Sequence, residues 1–134
     1  MRILIADDHP IVRKGVRSIL ESRKDLEVCG EATNGEEAVR KSLEVNPELI
    51  ILDVTMPVLD GFSAARKIKE AMPAVPILML SMQDGPEMAR SSRSVGAQGF
   101  VTKAATNEVL LKAVDVLIAG GTFFPATLEH EQVL

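Results

Sequence analysis

The sequence predicts an α/β domain, a five-stranded parallel sheet with helices on both faces. Short aliphatic runs recur five times, at RILIA (2–6), LEVCGEA (26–32), ELIILD (48–53), VPILMLS (75–81) and GFVTK (99–103). The third and fourth are nearly continuous in apolar residues, which suits strands buried on both faces rather than a half-exposed antiparallel sheet. Segments with helical spacing separate the runs. That alternation argues for parallel strands joined by right-handed crossovers.

Each element has its own local warrant. After RILIA comes the acidic pair Asp7-Asp8, then Ile11, Gly15 and Ile19 at four-residue steps, a stripe for the first helix. The pairs Arg13-Lys14, Arg23-Lys24 and Arg66-Lys67 read as solvated helix faces. The run LEVCG holds Cys29, the single cysteine, as a small core residue. Asn34 ahead of GEEAV is an N-cap followed by two glutamates that favour the positive end of a helix. ELIILD runs into a Met56-Pro57 turn, and Phe62, Ala65, Ile68 and Met72 form the next stripe. Asp84 ahead of GPEMA and Thr106 ahead of NEVLL predict two further caps, and Gly96 and Gly120 predict the stops. The segment 84–96 carries few large apolar residues, mainly Met88 and Val95, so a weakly anchored helix is expected. The segment 107–119 is apolar around most of its circumference. Val109, Ala113 and Val116 are placed toward the sheet, leaving Leu111, Val114 and Ile118 partly outward. Those three are either covered by Phe123, Phe124 and Pro125 or offered to a partner.

Composition bounds the function. A chain of 134 residues, 46% hydrophobic and 25% charged, suits one domain with one core. A net charge of −4 argues against nucleic-acid binding by this chain itself. One cysteine excludes an internal disulfide and points to a reducing compartment. No apolar run approaches the roughly 18 residues of a membrane span. MRILIADD meets acidic residues too early for a secretory signal. A cytoplasmic protein without membrane contact is expected.

In an open parallel sheet, ligands sit beyond the carboxyl ends of the strands. The first strand ends in Asp7-Asp8, the third in Asp53, the fourth in Ser81 and the fifth in Lys103. Four strands thus deliver three carboxylates, a hydroxyl and an amine to one rim. Each has a plainer explanation: Asp7 or Asp8 as a helix cap, Ser81 as a turn closer, Lys103 as a loop lysine. Their joint arrival at strand ends favours a shared site. Three neighbouring carboxylates need a cation, which Lys103 and a divalent ion would supply. Oxygen ligands without cysteine favour Mg²⁺ or Mn²⁺ over zinc. Such a set suits phosphoryl chemistry, with a carboxylate able to form an acyl phosphate. Glycine-rich phosphate loops are absent from the sequence.

The motifs ADDHP, LDVTMPVLDG, ILMLS and GFVTK together resemble the receiver domains of two-component response regulators, over residues 1 to about 120. ADDHPIVRKGV and IAGGTFFP resemble the NarL/FixJ subfamily, whose receivers usually precede a LuxR-type helix-turn-helix domain. The resemblance implies a flavodoxin-like (βα)5 fold with strand order 2-1-3-4-5. It implies that Asp53 is the phosphoacceptor for a sensor histidine kinase. Asp8, Asp53 and the Thr55 carbonyl would bind Mg²⁺, with Asp7 acting through water. Lys103 would pair with the phosphoryl group, and Ser81 and Phe100 would relay the change to the face of the fourth helix, fifth strand and fifth helix. Dimerisation or an attached DNA-binding domain would then respond. The resemblance implies a switch rather than a turnover enzyme.

Several details depart from the family pattern or extend it. Lys103 is followed by Ala104 where many receivers have a proline and a cis peptide, which leaves that geometry open. Met82 stands where a smaller residue is common, and it is expected to slow phosphorylation by small donors. Thr55 and Gln83 occupy positions that tune dephosphorylation in the family. Pro57 would stiffen the turn after Asp53, and Gly61 would leave the approach to it unobstructed. His9 is expected to be a loop or helix-start residue. Residues 121–134 are expected to be a tail or the start of a linker. ATLEHEQVL is too short and acidic for a helix-turn-helix domain, so a chain cut from a longer regulator is expected ahead of a stand-alone receiver. A haloacid-dehalogenase-like phosphatase is the catalytic alternative, disfavoured because Asp7-Asp8 lacks the DxD spacing. A flavin carrier is disfavoured by the acidic first loop and the absence of Trp and Tyr.

Overall fold

The computed structural model describes residues 1–125. Five strands, β1 (Arg2–Ala6), β2 (Glu27–Ala32), β3 (Leu49–Asp53), β4 (Ile77–Ser81) and β5 (Gly99–Thr102), pair in parallel in the order β2-β1-β3-β4-β5. The helices α1 (Pro10–Glu21), α2 (Gly35–Val45), α3 (Gly61–Ala71), α4 (Pro86–Ser94) and α5 (Asn107–Ile118) form the crossovers. The strands β2, β3 and β4 begin one or two residues later than their apolar runs suggest, whereas β1 and β5 begin where expected. Pro76, for example, lies outside β4 but accepts a hydrogen bond from the Ile50 amide at 3.0 Å.

Because β side chains alternate, one sheet feeds two cores. Leu4, Ile50, Leu52 and Met79 face α2, α3 and α4, where Ala38, Ala65, Ile68 and Ala89 pack against them. Ile3, Ile5, Ile51 and Leu80 face α1 and α5, meeting Val16, Leu20, Leu110 and Leu117. Each fully buried Ile or Leu here stabilises the fold by about 1.5–3 kcal/mol. Buried apolar residues on both sides of β3 thus fix its depth, and with it the height of Asp53.

Asn34 and Thr106 cap α2 and α5 as predicted, accepting from the Glu37 and Val109 amides. Asp84 does not cap α4. Gly85 takes that position at φ +145°, a conformation closed to most side chains, and Pro86 starts the helix. Gly96 and Gly120, at φ +96° and +89°, follow the ends of α4 and α5 as expected.

Two helix faces differ from the predicted stripes. In α1 the inward residues are Val12, Val16, Ile19 and Leu20, whereas Ile11 is 87% exposed and Gly15 faces solvent. In α5 Leu110, Ala113, Val114 and Leu117 are buried, and Val109 is exposed. Leu111, Val116 and Ile118 pack partly at the margin of that core, beside Phe123.

Beyond α5 the chain returns along the outer edge of β5. The Phe123 amide donates to the Gln98 carbonyl and its carbonyl accepts from the Phe100 amide, both at 2.9 Å. Phe124 packs into the core on the α4 side, with the Arg93 guanidinium 5.6 Å from its ring centroid. The residues 126–134 of the expected tail lie outside the described residues.

Candidate phosphoryl and metal site

Asp53 ends β3 and is 1% exposed, and Asp7, just past β1, is fully buried. The Asp7 amide is tied to the Ala32 carbonyl of β2 and the Val54 amide to the Leu80 carbonyl of β4, so both acidic loops are held by the sheet. Asp8 keeps about a third of its side chain exposed (32%). Lys103 follows β5, and its amide donates to the Ser81 carbonyl at 2.8 Å. From there its ammonium reaches across the rim, 3.0 Å from Asp53 Oδ2 and 2.9 Å from Asp7 Oδ2. The Asp7 contact is an ion pair out of line for a hydrogen bond.

The electrostatics follow from this crowding. Burial raises the Asp53 carboxyl above the usual carboxylate range; the Lys103 hydrogen bond pulls it down and neighbouring Asp7 pushes it up again. For Lys103 burial favours the neutral amine, but close contact with the Asp7 and Asp53 carboxylates outweighs it and the pKa is raised. One lysine does not satisfy the three acids. Asp8 Oδ1 is buried with no hydrogen-bond partner. An oxygen orphaned in this way among three carboxylates fits a cation, so the donor set agrees with the divalent ion expected from sequence.

The sequence-derived residues are not all in contact. Asp7, Asp8, Asp53 and Lys103 converge. Thr55 is exposed and its amide donates to Asp53 Oδ1 at 3.3 Å. Ser81 is buried on the next strand, where its Oγ accepts from the Gln83 amide at 3.0 Å and closes the turn after β4. Phe100 is 3% exposed, opposite Met79 in the ladder and in the same core cluster as Phe124. Lys103–Ala104 is trans, since no described peptide bond is cis. Gly61 serves a different purpose from the one expected. A Cβ there would press on the Asp53 carbonyl oxygen and lie 2.8 Å from the Asp53 carbonyl carbon, so the glycine makes room for the strand rather than for an incoming donor.

Two participants were not singled out from sequence. His9 does precede α1, as expected, but its ring turns into the acidic cluster, with Nδ1 3.0 Å from Asp7 Oδ1 and 3.2 Å from Asp8 Oδ1. Arg13 braces the first loop, donating from Nη1 to the Asp7 carbonyl at 2.7 Å and from Nε to Glu31 at 2.9 Å. The residue after an acidic pair and a basic residue one turn into the following helix were the available signals.

Residues 3–115 match the family model of the response regulator receiver domain. The chain belongs to that family. The receiver is 34% identical over 133 residues to the transcriptional regulatory protein LnrK of Bacillus subtilis, covering 99% of this chain and 60% of the relative. It is 40% identical over 124 residues to the oxygen regulatory protein NreC of Staphylococcus haemolyticus, covering 92% and 57%. The chain therefore spans little more than half the length of these relatives. Among solved structures, a LuxR-family two-component response regulator from Aurantimonas superposes with a TM-score of 0.91 at 34% identity, covering 99% of this chain and 98% of that one. The isolated receiver of RcsB from Salmonella enterica serovar Typhimurium, solved with the phosphomimetic BeF3⁻, gives 0.86 at 29% identity, covering 97% and 96%. The flavodoxin-like fold and the LuxR-type affiliation agree with the expectations from sequence. Among the described residues no helix is long and apolar enough to cross a membrane.

Proposed function

We propose that this receiver is a phosphorylation-activated switch whose phosphoacceptor is Asp53. The observation that carries this is one contact: a buried carboxylate at the end of the central strand, 3.0 Å from the Lys103 ammonium and beside two further acids. A carboxylate oxygen of Asp53 attacks the phosphorus of a kinase phosphohistidine. The P–N bond breaks, its electron pair returns to the imidazole, and an acyl phosphate forms. Burial makes the carboxylate more basic and strips it of water, which favours attack. Lys103 neutralises charge on the phosphoryl oxygens.

Asp8, Asp53 and the Thr55 carbonyl would hold Mg²⁺ or Mn²⁺, with Asp7 acting through water. When bound, the ion neutralises the acids and the incoming phosphoryl oxygens. Ser81 then exchanges its bond with the Gln83 amide for a phosphoryl oxygen, and Phe100 repacks in the space this vacates. The resulting change falls on α4, β5 and α5. The domain is proposed to span residues 1–120, with 121–134 as tail or linker. A sensor histidine kinase is the donor, dimerisation is a consequence, and DNA is reached through an output domain outside this chain, in keeping with the regulator names of its relatives. Dephosphorylation assisted by the receiver itself completes the cycle, in a cytoplasmic protein that is a regulator and not a turnover enzyme.

The test is intact mass after incubation with Mg²⁺ and a small acyl-phosphate donor. One added phosphoryl group on wild type and none on Asp53→Asn is expected. Equal labelling of both proteins would refute the assignment.

A further inference from the structure

We propose that His9 is a nitrogen ligand of the metal centre and makes it selective for first-row transition ions over Mg²⁺. The inference rests on the metal-dependent reading of the same site and adds a ligand to it. Asp7, Asp8, His9 and Asp53 each offer one donor atom, and the four atoms lie within 4.8 Å of one another. His9 Nδ1 stands 3.0, 3.2 and 3.9 Å from oxygens of Asp7, Asp8 and Asp53. Adjacent ligands of an octahedral ion with bonds of 2.0–2.1 Å are about 3.0 Å apart. The ring nitrogen thus sits at a ligand's distance from its neighbours.

Two further observations point the same way. Nδ1 has both the Lys103 ammonium at 3.2 Å and Asp7 Oδ1 at 3.0 Å as hydrogen-bond partners according to its tautomer, and with its lone pair on Nδ1 the ring can exchange Lys103 for a metal. Asp8 Oδ1 beside it is buried without a hydrogen bond, and a cation there would satisfy it. The His9 backbone is also held in place: its amide donates to Asp7 Oδ1 at 2.8 Å, and Pro10 restricts it to the extended region it adopts, at φ −93° and ψ 108°.

Imidazole changes the chemistry of the set. Oxygen ligands alone suit Mg²⁺ and Mn²⁺, whereas a nitrogen favours Co²⁺, Ni²⁺ and Zn²⁺, which already stand higher in the general affinity order. The site then offers one nitrogen beside the carboxylates of Asp8 and Asp53, with Asp7 reached through water.

Metal-free wild type, His9→Ala and His130→Ala are titrated calorimetrically with Co²⁺ and, separately, Mg²⁺, and the visible Co²⁺ spectrum is recorded. His130 is included because the chain has two histidines. The His9 side chain is 53% exposed, so its removal should leave the fold intact, which matching thermal melts verify. In wild type and His130→Ala, Co²⁺ should bind more tightly than Mg²⁺. In His9→Ala, Co²⁺ affinity should fall about tenfold or more, with a shifted spectrum, while Mg²⁺ affinity stays within about twofold. Mg²⁺ binding with Co²⁺ affinity insensitive to His9 overturns the nitrogen ligand and leaves the phosphoacceptor proposal standing. Tighter binding of both ions to His9→Ala overturns it too, because the ring would then compete with metal. No binding of either ion to any protein overturns the metal-dependent reading itself.

Discussion

Gly61 and Gly15 are both helical glycines, and replacing each by alanine should move stability in opposite directions. A Cβ on Gly61 would meet the Asp53 carbonyl and lie 2.8 Å from the Val54 Cα. These are backbone atoms of a strand end buried between helices, with no rotamer to retreat into. Overpacking of this kind costs about 1–3 kcal/mol where side chains can yield, and backbone should place it at about 3 kcal/mol. That is a large part of a typical domain stability of about 5–15 kcal/mol. A Cβ on Gly15 meets nothing within 4 Å, on the exposed face of α1. There alanine should gain about 0.5–1 kcal/mol. Urea unfolding followed by far-ultraviolet circular dichroism measures both, and the choice of probe matters because the chain has no Trp or Tyr. A Gly61→Ala protein within 1 kcal/mol of wild type would show that the α3 entrance does not hold the end of β3. A loss of stability in Gly15→Ala would contradict the orientation of α1.

The remaining expectations concern the same rim. The folded Asp53 carboxyl has a raised pKa, so the native state binds its proton more tightly than the unfolded chain and ionisation weakens the fold as pH rises through that interval. Asp53→Asn should therefore melt higher than wild type at neutral pH, with the advantage fading as pH falls toward the unfolded carboxylate value of about 3.9; a pH-independent difference would contradict this. Val58 sits at φ +69° with 75% of its surface exposed, an unfavourable backbone for a β-branched residue with little packing in return. Val58→Gly should gain about 1 kcal/mol in denaturant unfolding, and a loss would mean the side chain contributes something its exposure hides. Met82, 74% exposed beside the β4 terminus, is expected to slow small donors. Phosphorylation by an acyl phosphate should be faster in Met82→Ala, and equal rates would remove Met82 from consideration.

The central strands were the easiest part to read from sequence, because ELIILD and VPILMLS are buried on both faces and leave no choice of side. The carboxylate rim was legible for a related reason: strand ends in a parallel sheet share one edge, so Asp7, Asp8, Asp53 and Lys103 had to meet. Helix faces were harder. In α1 the residues Ile11 and Val12 differ by one position, or about 100° of rotation, and the apolar residues support a stripe through either. Only packing against Ile3 and Ile51 selects Val12, Val16 and Leu20. The same ambiguity placed Val109 inward when Leu110 is the buried residue. Asp84 looked like a cap because of its type, yet the Gly85-Pro86 pair sets the backbone and gives the cap position to Gly85. His9 was hidden for want of any spacing rule, since its position in the cluster depends on a ring rotation that only three dimensions reveal.

Stitching residues 98–100 to Phe123 has a consequence for how copies of this protein can associate. A sheet with a bare outer strand invites growth by pairing with another chain. At one margin the returning segment has taken the Phe100 amide and the Gln98 carbonyl. At the other, β2 carries Glu27 and Glu31, and its register with β1 shifts between Ile3 and Leu4. Both margins therefore discourage lateral growth, and any association of copies would fall to helices and loops, leaving undisturbed the ladder that holds Asp53 in place.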